Sequence, residues 1–307
     1  MADSIGLLVM AYGGPGSLDE VEPYLRDVRG FRDTPPEVVD EVRARYAAIG
    51  GRSPILERTG AQARALEEAL NTNGRRFTAV VGMRHWHPYI GDALVGLAEA
   101  GVERAVGLVM APHYSRMSIE RYFKEAEEAQ TPVTLAPIRE WHLLPGYVAA
   151  LEDRVRAALA RFPAEVRDSV PLILSAHSLP ERILQWNDPY PVQLAATTRA
   201  LVERLGGRSH RFAYQSAAMT PEPWLGPDAG NVIAELAREG HRHVLVVPIG
   251  FTCDHVEVLY DVDVALQRRA RDLGVHLERI EMVNDHPVMI GDLASLVRAT
   301  AAAEGWV

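Results

Sequence analysis

The chain has 307 residues, 48% of them hydrophobic and 24% charged. That is ordinary for a globular protein and enough for two α/β units of about 150 residues each. A formal net charge of −9 argues against nucleic acid as the main partner, because phosphate binding needs a basic face. Local arginine clusters still leave room for a small acidic ligand. The single cysteine, Cys253, excludes an internal disulfide, a zinc ribbon and a Cys-ligated iron–sulfur cluster, and fits a reducing compartment.

The opening stretch MADSIGLLVMAYGG holds a short apolar run without a basic leader. It is expected to form a buried first strand over 6–11, not a signal peptide. Helical periodicity follows over 36–49 and 58–70. A strand at 78–82, a helix at 89–100 and strands at 105–111 and 134–135 come next. Beyond a helix at 147–160, strands are expected at 171–175, 210–215, 244–249 and 277–280. The closing LASLVRATAAAEGWV suits a modest amphipathic helix. No apolar run reaches the roughly 18 residues that a membrane span requires, so no anchor is expected. Continuous apolar strands alternating with helices indicate parallel sheets covered on both faces.

The chain also resembles itself. Residues 77–115 and 211–255 each run strand, Pro-containing loop, helix, Gly-centred turn, strand, and His-bearing loop. The segments GLLVMAYGGPG and PLILSAHSLPE correspond too, each ending in a ring-bearing residue, Tyr12 or His177. The expected organisation is therefore two similar Rossmann-like lobes, 1–146 and 147–286, joined near Trp141–Tyr147. The C-terminal helix, about 287–307, is expected to pack back on the first lobe. In open parallel sheets ligands bind beyond the carboxyl ends of strands, which would set Tyr12, His113, His177 and His255 around one cleft.

Four groups of residues could carry chemistry. His177 in SAHSLPERI projects from a strand end, where an imidazole can bind a divalent ion or accept a proton. A hydrogen-bonded core histidine is the plain alternative. Ser178 and Glu181 stand at capping-box spacing, as do Asp254 and Glu257 in DHVEVLYDVD. Glu257 is thus either a helix cap or, with Asp261 four residues on and His255 beside it, part of a track of ligands for a borderline ion such as Fe²⁺. Arg29, Arg32, Arg45, Arg52 and Ser53 could bind carboxylates, or pair along helices, as Glu41 would with Arg45. Met10, Tyr12, Trp86, Trp186, Tyr190 and Trp224 could wall a flat apolar ligand, or fill the core. A nucleotide site is poorly supported, because GGPG at 13–16 lacks the full G-x-G-x-x-G pattern.

Taken together, GLLVMAYGGP, RYAAIGGRSPI, APHYS, SAHSLPERI, DPYPVQL, YQSAAMTPEPWLGPD and DHVEVLYDVD resemble the ferrochelatase family over almost the whole chain. The resemblance implies two four-stranded parallel lobes gripping a porphyrin, and insertion of Fe²⁺ into it. It looks like the soluble branch that favours coproporphyrin III, with four propionates; protoporphyrin IX, with two, is the substrate of the membrane-associated branch. His177 matches the family's active-site histidine and Glu257 its acidic partner, both implied to meet the metal. Tyr12 matches the tyrosine facing the metal from the other side of the ring, an implied axial ligand of product iron. Arg29, Arg45, Ser53 and Tyr122 match propionate-holding positions. Gly30 and Ala265 depart from some soluble members, which carry a basic residue and a carboxylate there; the sequence therefore leaves open whether an outer metal site exists near Asp261. No cofactor beyond substrate Fe²⁺ and no iron–sulfur cluster is implied. The expected setting is a cytoplasmic monomer that passes product to a downstream haem enzyme. Competing readings are a protoporphyrin IX ferrochelatase, a sirohydrochlorin chelatase and a non-catalytic haem-binding protein.

Overall fold

Each apolar run of the sequence becomes a short strand in the computed structural model, which describes residues 4–72, 74, 77–218 and 220–307. The first sheet holds β1 (Ile5–Ala11), β2 (Phe77–Met83), β3 (Arg104–Val109) and β4 (Thr134–Ile138), in the order β2-β1-β3-β4. The second holds β5 (Leu172–His177), β6 (His210–Gln215), β7 (His243–Val247) and β8 (His276–Arg279), in the order β6-β5-β7-β8. All pairings are parallel. The two lobes thus share one topology. β1 and β5, central in their sheets, are almost wholly buried, as strands covered by helices on both faces must be.

Strand ends depart from the expected limits for identifiable reasons. β7 stops at Val247, ahead of Pro248, which has no N–H for the ladder. β4 runs three residues past the expected Leu135, through Pro137; it is an edge strand, where a missing donor is tolerated. The helix expected from Arg58 starts earlier, at Ile55, directly after Pro54.

One apolar core joins the lobes. It contains Leu7 and Val9 of β1, Leu172 and Leu174 of β5, and the inner faces of the helices Ile55–Leu70, Pro145–Leu159 and Pro287–Ala303. The last of these lies against both other helices. Asp292 accepts a 2.6 Å bond from the Gly146 N–H. A side chain at position 146 would stand 2.6 Å from the Val288 carbonyl, so glycine is required by close approach. The Arg298 guanidinium bonds the Ala69 carbonyl, and the Gln62 amide donates to Asn284 O at 2.8 Å. Tyr147, fully buried, donates its hydroxyl to Ile249 O at 2.5 Å. Among the described residues no helix is long and apolar enough to cross a membrane.

Candidate active site

The carboxyl ends of β1, β3, β5 and β7 open onto one cavity of about 330 Å³, mostly apolar and lined from both lobes. Strand ends of this kind release backbone from the ladder and aim the next side chain outward. Tyr12, the first residue after β1, and His177, the last residue of β5, are both placed this way.

On the second-lobe wall, His177 is held firmly. Its Nδ1–H donates to the Ser178 carbonyl, and the Tyr190 hydroxyl donates to its own carbonyl at 2.9 Å. The Nδ1 contact leaves Nε2 as the working nitrogen, 3.4 Å from Glu257 Oε1. The other oxygen of Glu257 lies 3.4 Å from His255 Nε2, and His255 Nδ1 bonds Cys253 O at 2.9 Å. Burial alone would push the His177 imidazole down; the adjacent Glu257 carboxylate outweighs it and raises His177 to about 9. Burial likewise favours a neutral Glu257, yet His177 and His255 hold it well below the usual carboxylate range. Both shifts favour the imidazolium–carboxylate form of the pair, and each side chain is 30% exposed.

Neither capping box forms. The Glu257 carboxylate is engaged by the two imidazoles, and its short helix, Val256–Leu259, has no side-chain cap. Asp254 instead accepts from Asn284 Nδ2 at 3.1 Å and lies 3.5 Å from Arg58. Ser178 donates to Leu225 O at 2.8 Å, and the 3₁₀ turn Glu181–Trp186 begins uncapped after Pro180. In both cases tertiary partners outcompete the local cap. The expected ligand track is also shorter than the spacing suggested. The helix widens to π geometry over Asp261–Leu266, and Asp261 takes a bond from the Ser216 hydroxyl outside the cavity lining. Among the described residues no group of three His, Cys, Asp or Glu side chains is arranged to hold a metal ion together.

The first-lobe wall is built from hydroxyls. Tyr12 stands 38% exposed, its ring 4.7 Å from that of His85, whose Nδ1 bonds Asp27 at 2.6 Å. The turn after it needs Gly13: φ is +96°, and a Cβ would fall 1.6 Å from His85 O. Burial, reinforced by the charge of Glu257, pushes the Tyr12 hydroxyl up to about 12. Ser53 lines the cavity from the loop ahead of the helix Ile55–Leu70, its N–H bonded to Pro15 O at 2.8 Å. Tyr122 lines it from the helix Ile119–Glu128.

Tyr12, Ser53, Tyr122, His177 and Glu257 are thus brought together around the cavity, and His113 and His255 join them. His113 is 2% exposed and bonded to Thr197 at 2.9 Å; burial pushes its imidazole down to about 3. It is a neutral wall residue. Arg29 and Arg45 do not line the cavity. Arg29 is exposed at the end of the helix Val21–Val28. Arg45 makes the i,i+4 pair with Glu41 at 2.6 Å, and its guanidinium also sits 5.5 Å from the Tyr260 ring, bridging to the second lobe.

Of the aromatic candidates, Tyr190 and Trp224 face the cavity. Met10 is core, Trp86 bonds Glu20 at 2.7 Å, and Trp186 lies outside the lining. Met219, within YQSAAMTPEPWLGPD, lies outside the described residues. Sequence reasoning missed Arg84, which lines the cavity directly after β2, 3.0 Å from Glu125 and 5.7 Å from the Tyr122 ring. Its position after a strand end was the available signal. It also missed Tyr24, which approaches from a helix that gave no such signal.

A family model described as Ferrochelatase matches residues 4–301. A protein named Ferrochelatase from Herpetosiphon aurantiacus is 42% identical over 302 residues, covering 97% of this chain and 99% of that one. A protein named Coproporphyrin III ferrochelatase from Oceanobacillus iheyensis is 40% identical over 305 residues, covering 98% of each. The fold is similar to that of SirB from Bacillus subtilis, solved with Fe³⁺, at a TM-score of 0.58 and 12% identity over 98% of each chain.

Proposed function

The chain belongs to the ferrochelatase family, a lyase that inserts iron into a porphyrin, and we propose that its porphyrin is coproporphyrin III and its product coprohaem III. The observation that carries the site reading is the facing of His177 Nε2, backed by Glu257, and Tyr12 across one apolar cavity. Support for the substrate comes from relatives named Coproporphyrin III ferrochelatase, 40% identical over 98% of this chain. Relatives named only Ferrochelatase, at 42% and 43%, favour no particular porphyrin and keep protoporphyrin IX as the second reading.

Metal insertion requires a buckled macrocycle, loss of two pyrrole protons and dehydration of the iron. Interactions with remote carboxylates can offset the cost of buckling. In our reading Arg29, Arg45, Ser53 and Tyr122 supply them around the rim, and the apolar walls, including Trp224 and Tyr190, press the ring. His177 accepts a pyrrole proton or ligates the incoming iron through Nε2. Either role first requires the imidazolium to give up its proton. Glu257 lies between His177 and His255 and can pass that proton outward while offering the iron a carboxylate oxygen. One imidazole and one carboxylate bind a divalent ion weakly enough to release it to four pyrrole nitrogens. Tyr12 ligates the product iron from the opposite face.

No resident cofactor is required; iron is the substrate. A single chain forms the whole cleft, which suits a monomer, and we place it in the cytoplasm, handing its product to a later haem enzyme. The deciding experiment is anaerobic Fe²⁺ insertion with coproporphyrin III and protoporphyrin IX in parallel. A clear kcat/KM preference for the tetracarboxylate supports the proposal, and preference for the dicarboxylate replaces it with the second reading.

A further inference from the structure

We propose that Gln215 is a positioning residue for the His177–Glu257 pair, its side-chain amide tying the backbone of Glu257 to the strand that carries His177. Gln215 is the last residue of β6 and stands in register with His177, the last residue of β5. It is 3% exposed and absent from the cavity lining, so it touches neither substrate. Its Nε2 donates to Glu257 O at 2.7 Å, and its Oε1 accepts from Ser175 Oγ, two residues before His177, at 2.7 Å. Its own carbonyl accepts from the Ser178 N–H at 2.8 Å, one residue after His177. One side chain and one peptide unit thus hold the His177 strand on both sides and reach across to Glu257.

The amide orientation follows from its partners. The Glu257 carbonyl can only accept, so the NH₂ must face it, and the Ser175 hydroxyl can donate to the oxygen. The need for such a clamp follows from the element that carries Glu257. A four-residue helix, Val256–Leu259, cannot sustain itself. It begins uncapped, and its register changes to π geometry at Asp261. Carbonyls at such a junction lack regular partners. The 3.4 Å gap between His177 and Glu257 joins a rigid strand to a weak helical turn, and the Gln215 amide, on β6, bridges those two elements through one hydrogen bond to each.

The inference rests on the proposed roles of His177 and Glu257. Its test compares wild type, Gln215→Leu and Ser175→Ala, reading kcat for Fe²⁺ insertion, KM for iron and the porphyrin dissociation constant by fluorescence quenching. Misplacement of a reacting group by about 1 Å can cost on the order of 10²-fold. Gln215→Leu is expected to lower kcat about tenfold and raise KM for iron, with porphyrin affinity within about twofold. Ser175→Ala keeps the Glu257 bond but frees the amide, and is expected to lower kcat about threefold. Folded Gln215→Leu with wild-type kcat, or with kcat and porphyrin affinity falling together, overturns the proposal. Should Gln215→Leu fail to fold, wild-type kcat in Ser175→Ala overturns it. Wild type inserting iron into neither porphyrin overturns the functional reading itself, and the clamp with it.

Discussion

The two walls of the cavity come from sheets of identical strand order, yet they differ in kind. The second-lobe wall concentrates charge, with the imidazolium of His177, the carboxylate of Glu257 and the ring of His255 within 3.4 Å contacts. The first-lobe wall offers neutral hydroxyls, from Tyr12, Ser53 and Tyr122, with Arg84 the one lining cation the structure adds. Topology therefore supplies equivalent platforms, and the residue set at each strand end decides what the platform does. On the proposed function, the charged wall would move protons and receive the cation, and the hydroxyl wall would orient the carboxylate-bearing ligand and ligate the product iron.

The strongest way to break this division is His177→Ala. If the charged wall carries the chemistry, kcat should fall by about 10²–10⁴, while porphyrin affinity by fluorescence stays close to wild type. An equal loss of affinity would move the function to shape alone.

The pH profile sharpens the same point. His177, raised to about 9, must shed its proton before Nε2 can act. kcat/KM for iron should therefore rise with pH and level off near 9. In Glu257→Gln the partner charge is gone and burial pulls the imidazole down, so the limb should move to lower pH. Stability has the opposite sense for His177. Its folded value lies above the ordinary 6.5, so its contribution is complete below that and fades as pH rises through about 9. Glu257, lowered from 4.5, contributes above that value and loses its contribution as pH falls further. The melting temperature of the apo protein, followed from pH 6 to 10, checks the first of these.

Gly250→Ala tests the platform rather than the side chains. A Cβ there would stand 2.6 Å from Ala176 Cβ and 2.9 Å from Ala176 Cα, beside His177. A stability loss of about 1–3 kcal/mol is expected from overpacking, seen in denaturant midpoints, with kcat falling as His177 is displaced. On the hydroxyl wall the effects should be smaller. Tyr12→Phe is expected to leave kcat within about tenfold; on the proposed role of Tyr12, the product complex of the wild type shows a tyrosinate-to-iron absorption that the variant lacks. Arg45→Ala should weaken coproporphyrin III by about 1.5–3 kcal/mol at most, and less for protoporphyrin IX. Its partners Glu41 and Tyr260 compete for the guanidinium.

Much of this was legible in the residues. Short apolar runs alternating with helical patterns located the eight described strands, and the internal likeness of 77–115 and 211–255 anticipated two similar halves. His177 and Tyr12 could be placed because a strand end projects the next side chain predictably. Glu257 was ambiguous for a physical reason: capping-box spacing is a local signal, and whether a carboxylate caps its own helix or meets an imidazole from another strand depends on contacts that spacing does not encode. Gln215 was not legible because it acts across a distance in sequence, 42 residues to Glu257; Arg84 carried the strand-end signal, but its partner Glu125 lies 41 residues away.

By itself, then, the sequence determined the parallel α/β architecture, the strand ends that face a cleft, and the family resemblance carried by SAHSLPERI and DHVEVLYDVD. These follow from hydrophobic periodicity and backbone sterics, which act over a few residues. Only the tertiary structure decided the protonation of the His177–Glu257 pair, the turning away of Asp261 toward Ser216, and the side to which each arginine points. Those depend on burial and on charges brought within a few ångströms by the packing of separate elements, and electrostatics at that range is fixed by the fold as a whole.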